Sequence, residues 1–439
     1  MTSNLKRIPN GPAEKYDPSV DLLEWLSHNF SRYGDMYRAS IYGADVYVAS
    51  HPRYADHVLR VNWQNYRKGQ SNRRVGFLLG NGLMVSEGEF WKTQRQMIQP
   101  VFHETAVAAL FRAMQAANIA LLHQWEQTAQ KAASVNLTKD ISRMVLDLVL
   151  LWIFGEDCDR MEPHFRVLSE EPARNLQLVQ TFKSFRGLVL EVIAQRRSRN
   201  RFAEDILGML LGARDRQTGR AMPDGQLVSE ILTLIVAGHE TTASTLNWTW
   251  YLLSQNPAAE EKLTAELAAL TAEGFPGIGD LHKFVHTGHV LEEVLRLYPA
   301  GWLMTRRALN DDQLGDYFLP AGAEVYISPY LIQRNPALWD RPDSFDPDRF
   351  DSALVRERCP LSMLPFSAGP RKCIGESFAR IEMQVHLIMV AANLHLQYAG
   401  ANPMELDVGV NLRGKSDFIM FPVIRGTNRS QPSGDRPAA

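Results

Sequence analysis

Cysteine is scarce: Cys158, Cys359 and Cys373 are the only three in 439 residues. Three thiols cannot staple a secreted disulfide framework, so a reducing cytoplasm is the expected compartment. Net charge is equally small, and a formal −2 offers no basic field to a nucleic acid. Long hydrophobic runs are missing as well. The strongest, Met144 to Phe154, is interrupted by Asp147 and falls far short of the roughly 20 apolar residues that cross a bilayer. Met1 to Pro12 carries neither a signal-type apolar region nor an anchor. The interior has no Pro/Gly/Ser-rich linker, no repeat and no low-complexity block. Length alone would allow two or three domains. With 45% hydrophobic residues and no linker, one large unit over 1–439 is expected, with flexible ends at 1–15 and 425–439.

Periodicity supplies the architecture. Residues 37–42 and 45–49 alternate apolar and polar around Gly43-Ala44 and predict a β-hairpin. From about Glu89 to Ala213 the pattern is almost wholly helical. Leu227 to Leu253 predicts one long helix, and a further helix over about Asp280 to Tyr298 stops at Pro299. Short strands are expected at Tyr317 to Leu319 and Glu324 to Ile327, either side of Pro320-Ala321-Gly322, and over Phe418 to Val423. Many helices and a few small sheets make a mainly α fold.

The chemistry gathers at Cys373, within Phe366-Ser367-Ala368-Gly369-Pro370-Arg371-Lys372-Cys373-Ile374-Gly375. Gly369, Pro370 and Gly375 let a backbone wrap closely round an atom. Ile374, Phe378, Ile381 and Val385 have helical spacing, which sets Cys373 at or just before a helix N-terminus. Free N–H groups and the helix dipole favour a thiolate there. A structural cysteine in a Gly-rich loop is the rival reading.

At every fixed position this stretch resembles Phe-x-x-Gly-x-Arg-x-Cys-x-Gly, the haem-ligand signature of the cytochrome P450 family. The resemblance implies the triangular prism fold of that family, a single haem domain that is mainly α with small β-sheets. It implies haem b (iron protoporphyrin IX) with Cys373 as the thiolate axial ligand, which favours O–O cleavage. Phe366 would pack near the sulfur, Gly369, Ile374 and Gly375 would line the cofactor, and Arg371 would pair with a propionate. Trp91 and Arg95, at i and i+4, match the family's propionate contacts. So does Arg306 in Arg306-Arg307-Ala308, with Arg307 beside it as a competitor.

Ala237-Gly238-His239-Glu240-Thr241-Thr242 resembles the family's oxygen-activation motif. Small side chains at Ala237 and Gly238 would let the helix lie over a flat cofactor. Thr241 would bond back to its own helix and loosen the ladder, and Thr241 with Glu240 would deliver protons. Glu293, Arg296 and Arg349 resemble the family's structural ion-pair triad, locking the cysteine loop without a catalytic role.

The implied function is O2-dependent hydroxylation or epoxidation of a hydrophobic small molecule, in secondary or lipid-type metabolism of a bacterial-type host. Oxidative C–C or C–N coupling, peroxide-driven turnover and non-catalytic haem sensing are the alternatives. No flavin or iron–sulfur pattern is left over, so a ferredoxin or flavodoxin with an NAD(P)H reductase is the expected partner. It would dock near Lys92, Arg371, Lys372 and Arg380. Substrate walls are expected at 73–84, Ala237, 300–303 and 416–418, made apolar by Trp302, Leu303 and Phe418, with Arg73 or Arg74 as a carboxylate anchor. Two departures from the family pattern stand out: Gln333-Arg334 where many relatives carry His-Arg, read as minor, and a short stretch from Gly155 to Arg196. A clipped lid there would open the access channel to a bulky or carrier-tethered substrate.

Overall fold

The computed structural model describes residues 5–69, 72–170, 177–199, 202–272 and 274–426. Of the flexible ends expected over 1–15 and 425–439, residues 1–4 and 427–439 lie outside the described part. The rest of the first end is tied down, against expectation. Lys6–Arg7 adds a strand, Gly11 N–H donates to Arg38 O at 2.8 Å, and Ile8 and Tyr16 are buried. Arg425 likewise belongs to the fold, donating to Ala391 O at 2.8 Å and Leu394 O at 3.1 Å.

The helices that place the site are α1 (Gly88–Ile98), α2 (Phe111–Gln130), α3 (Leu137–Phe154), α4 (Gln177–Ser198), α5 (Asp224–Gln255), α6 (Val285–Leu297) and α7 (Glu376–Asn393). Helix α5 is the axis. Its apolar and small residues run round the whole circumference, so most side chains from Leu227 to Leu253 are buried. It stops at Asn256, whose successor Pro257 disfavours a further helical residue. Helix α3 begins where the Asn136 side chain accepts from Lys139 N–H and ends at Gly155, φ +52°. Helices α6 and α7 pack with α3 and α5 into one large apolar core.

A five-stranded sheet has the order β2-β3-β9-β6-β4: Met36–Ile41, Ala44–Ala49, Glu324–Ile327, Met304–Ala308 and Tyr66–Lys68. Strands β1 (Lys6–Arg7), β8 (Tyr317–Leu319) and β7 (Asp312–Leu314) form a second sheet. A third has the order β10-β13-β5: Leu394–Tyr398, Ile419–Ile424 and Val135–Asn136. Leu406–Val408 (β11) and Leu412–Gly414 (β12) make an antiparallel hairpin. The mainly α fold with small sheets is therefore the one expected, and the β2–β3 hairpin, β8 and β9 lie where the alternation set them.

Several boundaries differ. The helix expected over 280–298 divides into a 3₁₀ turn, Ile278–Lys283, and α6, because Phe284 leaves helical geometry (ψ 71°) with its side chain buried. Strand β5 interrupts the run read as helical because Val135–Asn136 pairs with β13. Between Gly155 and Arg196 lie helices Cys158–Phe165 and Val167–Glu170 and then α4. The stretch 104–130 is long and apolar enough to cross a membrane by composition, with mean hydropathy 1.4, contrary to the expectation that no such run exists. In the fold, Met114, Asn118, Leu121, Leu122 and Trp125 turn one face of α2 into the core.

Candidate active site

The Cys373 loop is over-determined by backbone contacts. Cys373 N–H donates to Phe366 O at 2.9 Å, Lys372 N–H to Gly369 O at 3.0 Å, and Ser367 N–H to Leu364 O at 3.1 Å. Ser367 (φ +63°) and Gly369 (φ +71°) take the left-handed turn the loop needs. A side chain at Gly369 would place its Cβ 1.9 Å from Leu59 O, so only glycine fits. Helix α7 starts three residues after Cys373, at Glu376. Cys373 keeps accessible surface, yet the protein crowding its sulfur pushes the thiol above its usual range. The Gly375 N–H and the charges of Arg95 and Lys372 pull the other way and do not win.

Beside this loop a cationic box closes. Strand pairing sets Lys68 directly across from Arg306, an arrangement of like charges that destabilises a sheet unless an anion lies nearby. Arg371 joins them, stacked 3.9 Å over the Trp91 ring and bonded to Ser86 O (2.7 Å) and Glu87 (2.5 Å). Burial and the neighbouring cations lower Lys68 to about 7 and Arg306 to about 10, with Glu87 opposing both. Lys68, Arg306 and Arg371 thus share one carboxylate, Glu87, around a small cavity that Trp63 and Tyr66 also line. Arg306 is buried and lines this cavity, whereas Arg307 is exposed. Arg95 lies nearer the sulfur than this box, donating to Lys372 O at 3.0 Å. The sequence reading missed Lys68 and Glu87.

On α5 the Thr241 hydroxyl donates to Ala237 O at 2.8 Å, as expected, but α5 stays a regular helix from Asp224 to Gln255. Gly238 faces helix α3. A Cβ there would stand 3.3 Å from Val149 Cγ2, so its small size serves helix packing. Ala237 and Thr241 are half-buried. Behind them, Glu382 of α7 is wholly buried and raised to about 8 by desolvation. Thr242 favours its ionised form a little, although neither carboxyl oxygen reaches full hydrogen-bond geometry.

The ion-pair triad forms as expected. Arg296 donates to Glu293 at 2.6 and 2.8 Å, Arg349 Nε to Glu293 Oε1 at 2.9 Å, and Glu293 and Arg296 are fully buried. Gln333, read from sequence as a minor departure, is a tie beam. Its amide donates to Leu295 O (3.0 Å) and Arg296 O (2.9 Å) while its oxygen accepts from Leu364 N–H (2.7 Å) at the base of the cysteine loop.

The four cations expected to form a docking patch each lie beside a carboxylate: Lys92 beside Glu89, Arg371 beside Glu87, Lys372 beside Glu376, and Arg380 beside Glu292 and Glu376. Of the residues expected as substrate walls, Trp302 is a core residue, and Phe418 packs in the core while also lining, with Ser416, a cleft beside Glu240. The Trp302 indole donates to Gly409 O at 3.0 Å, and the Phe418 ring lies edge-on to Trp248 at 5.1 Å. The Arg73 and Arg74 side chains lie outside the described part.

A family model described as Cytochrome P450 matches residues 11–183 and 164–410. The chain belongs to the cytochrome P450 family. Cyclooctatin synthase of Streptomyces melanosporofaciens is 31% identical over 394 residues, covering 85% of each chain. Pentalenene oxygenase of Streptomyces avermitilis is 29% identical over 389 residues, covering 83% of this chain and 84% of the relative. The crystal structure of the cytochrome P450DA heme domain superimposes with a TM-score of 0.83 at 25% identity, covering 96% of this chain and 98% of that one. This P450 is an oxidoreductase, a haem-thiolate monooxygenase acting on a hydrophobic small molecule, with the mainly helical fold of a P450 haem domain.

The residues present fit that cofactor. A cysteine sulfur stands in a loop that admits only glycine at its tightest point, and the box holds more cations than carboxylates. The two carboxylates of a haem would balance that excess.

Glu382 gives the P450 a pH dependence whose sign is fixed. Its pKa rises from 4.5 in an exposed carboxyl to about 8 in the fold. Between those values the folded protein holds a proton that the unfolded chain has released, so stability falls as pH climbs through the window and is level above it. Glu382→Gln removes this slope. Near pH 5 its melting temperature should match the parent, and near pH 8 it should exceed it by several degrees, a gain of a few kcal/mol. Parallel melting curves for the two proteins across that range would show that Glu382 is not held neutral.

Proposed function

We propose that this P450 hydroxylates or epoxidises its hydrophobic substrate with electrons from a ferredoxin or flavodoxin fed by an NAD(P)H reductase, in the cytoplasm of a bacterial-type host. The observation that carries the reading is the over-determined cysteine loop with a cationic box beside it, where Arg371 of the loop meets Lys68 and Arg306 round one small cavity. Bound haem supplies oxygen activation and the electron path. Cys373 would hold the haem iron through its thiolate, with Phe366, Gly369, Ile374 and Gly375 shaping the backbone round its sulfur. Arg306, Arg371 and Lys68 would hold the propionates, with Trp91 bracing Arg371 and Arg95 bracing the loop at Lys372 O. Ala237 offers a small face toward the reacting centre, Thr241 presents the hydroxyl that passes protons on, and Glu240 brings them in. The Glu240-Thr241 pair disfavours a peroxide-driven enzyme or a haem sensor, neither of which needs a relay. A cytoplasmic setting is supported by three free thiols.

The test is a titration of the purified ferric protein, read in the Soret band, against fatty acids, terpenoids, steroids, aromatic amides and small cyclic peptides. A thiolate-type band with a low-to-high-spin shift for one class is expected, followed by NADPH consumption through a surrogate ferredoxin chain. Absence of a thiolate-type band would overturn the role of Cys373. A shift without any NADPH consumption would favour a sensor.

A further inference from the structure

Glu87 stands at the N-cap of α1, where an acid ordinarily accepts from the free N–H groups of the first turn, yet its side chain makes no such bond. It turns to the cationic box instead. One oxygen accepts from the Lys68 backbone N–H at 2.9 Å, and the other meets Arg371 Nη2 at 2.5 Å. A single half-buried carboxylate thus grips the strand that carries one cation and the guanidinium of another.

The charged side chains round the small cavity of the box are Lys68, Arg306, Arg371 and Glu87. Lys68 Nζ also donates to Met84 O, Arg306 Nη1 to Thr305 O at 2.9 Å, and Arg371 Nη1 to Ser86 O at 2.7 Å. Those carbonyls are neutral and leave the charge uncompensated. Three cations against one carboxylate leave two positive charges, which two propionates would cancel. The charged neighbours lie outside the cavity. Arg95 stands by the Cys373 sulfur, whose thiolate would offset it. Asp312 reaches the box only through the Tyr66 hydroxyl, 2.6 Å away, and also bonds His57 and Asn62.

We infer that Glu87 is the positioning residue that sets the charge of the box, matching it to a porphyrin with two carboxylates and holding down the reduction potential of its iron. The inference rests on the box as the propionate site. Reduction adds one electron to the iron, so a positive charge left uncancelled nearby favours it and a negative charge opposes it. With Glu87 ionised, the three cations, its carboxylate and two propionates cancel. Without that carboxylate, one positive charge remains in the box and the electron is taken up more readily.

The experiment compares Glu87→Gln, Lys68→Met and the double variant Glu87→Gln/Lys68→Met by redox titration of the haem-loaded protein with dithionite and mediators. Glu87→Gln keeps the length of the side chain and an oxygen for the Lys68 N–H. It should shift the ferric–ferrous equilibrium about tenfold toward ferrous, about 59 mV for a one-electron couple. Lys68→Met should shift it about tenfold the other way. The double variant, with its net charge restored, should titrate like the parent, a cancellation that a purely structural role for Glu87 would not produce.

A second readout needs no haem. At pH 6, below the value of about 7 to which burial and the neighbouring arginines lower Lys68, all three cations are charged. There the haem-free Glu87→Gln protein should melt several degrees below the parent, and the double variant should recover most of that loss. Iron protoporphyrin IX dimethyl ester, which lacks free carboxylates, tests the reading beneath. The parent should bind the ester at least about tenfold more weakly than haem. If it binds both alike, the box does not hold propionates and the inference falls with that reading. If it discriminates, but Glu87→Gln keeps the parental potential or the double variant fails to return to it, Glu87 does not set the charge and the propionate site stands.

Discussion

Cys373→Ser should lower turnover by at least about 10³-fold, some 4 kcal/mol in the barrier, and abolish the thiolate-type Soret band while leaving the fold intact. The fold should survive because the loop does not depend on sulfur. Its contacts are backbone bonds such as Cys373 N–H to Phe366 O, and Gln333 anchors its base at Leu364 N–H. The chemistry should not survive, because a serine hydroxyl at neutral pH is a poor anionic ligand beside a thiolate. The raised thiol adds a second readout. Since burial keeps Cys373 protonated in the chain alone, coordination to a metal must displace that proton. Haem loading near neutral pH should therefore release a proton in the parent that the serine variant does not release, measurable as a buffer-dependent heat in calorimetry. A serine variant that keeps the thiolate-type band would remove Cys373 from the site.

What the sequence made legible was local. The cysteine loop is a run of ten residues in which Gly369 takes a left-handed turn, although the close neighbour that excludes a side chain there, Leu59 O, lies far outside the run, and Glu293 and Arg296 meet across a single helical turn. The cationic box was only half legible. Trp91 and Arg95 share a helix, but Lys68 meets Arg306 only through the register of β4 and β6, and Glu87 meets Arg371 only once α1 docks beside the cysteine loop. No short pattern encodes those meetings. Other misses were readable. Glu382 falls four residues after Phe378 on the buried stripe of α7, where an acid is out of place. Lys372 and Arg380 stand four residues either side of Glu376, a spacing that pairs both with one carboxylate, and Glu292 supplies the second charge for Arg380. The core placement of Trp302 and Phe418 was not readable, since an apolar ring reads alike in a wall and in a core.

The second large effect concerns stability. Glu293→Gln should cost about 3–5 kcal/mol, a large share of the roughly 5–15 kcal/mol that a folded protein holds in reserve. The variant keeps the size of the side chain but removes its charge and turns one acceptor oxygen into a donor amide facing other donors, so the loss combines charge compensation with a broken hydrogen bond. Arg296 would remain fully buried and Arg349 nearly so, without the carboxylate that both now share. Replacing such a pair by apolar residues is often neutral, but not here. Arg296 also donates to Gln333 O, Pro342 O and Ser344 O at 2.8, 2.6 and 3.1 Å. A Glu293→Leu/Arg296→Leu double variant would orphan those carbonyls and should be no better than the single one. The exposed pair Arg38–Asp45 is the control, with side chains 45% and 59% accessible. Asp45→Asn should shift stability by no more than about 1 kcal/mol. Denaturant unfolding and haem content, measured on all three, separate the outcomes. A Glu293→Gln protein as stable and as haem-replete as the parent would mean that the triad does not lock the cysteine loop.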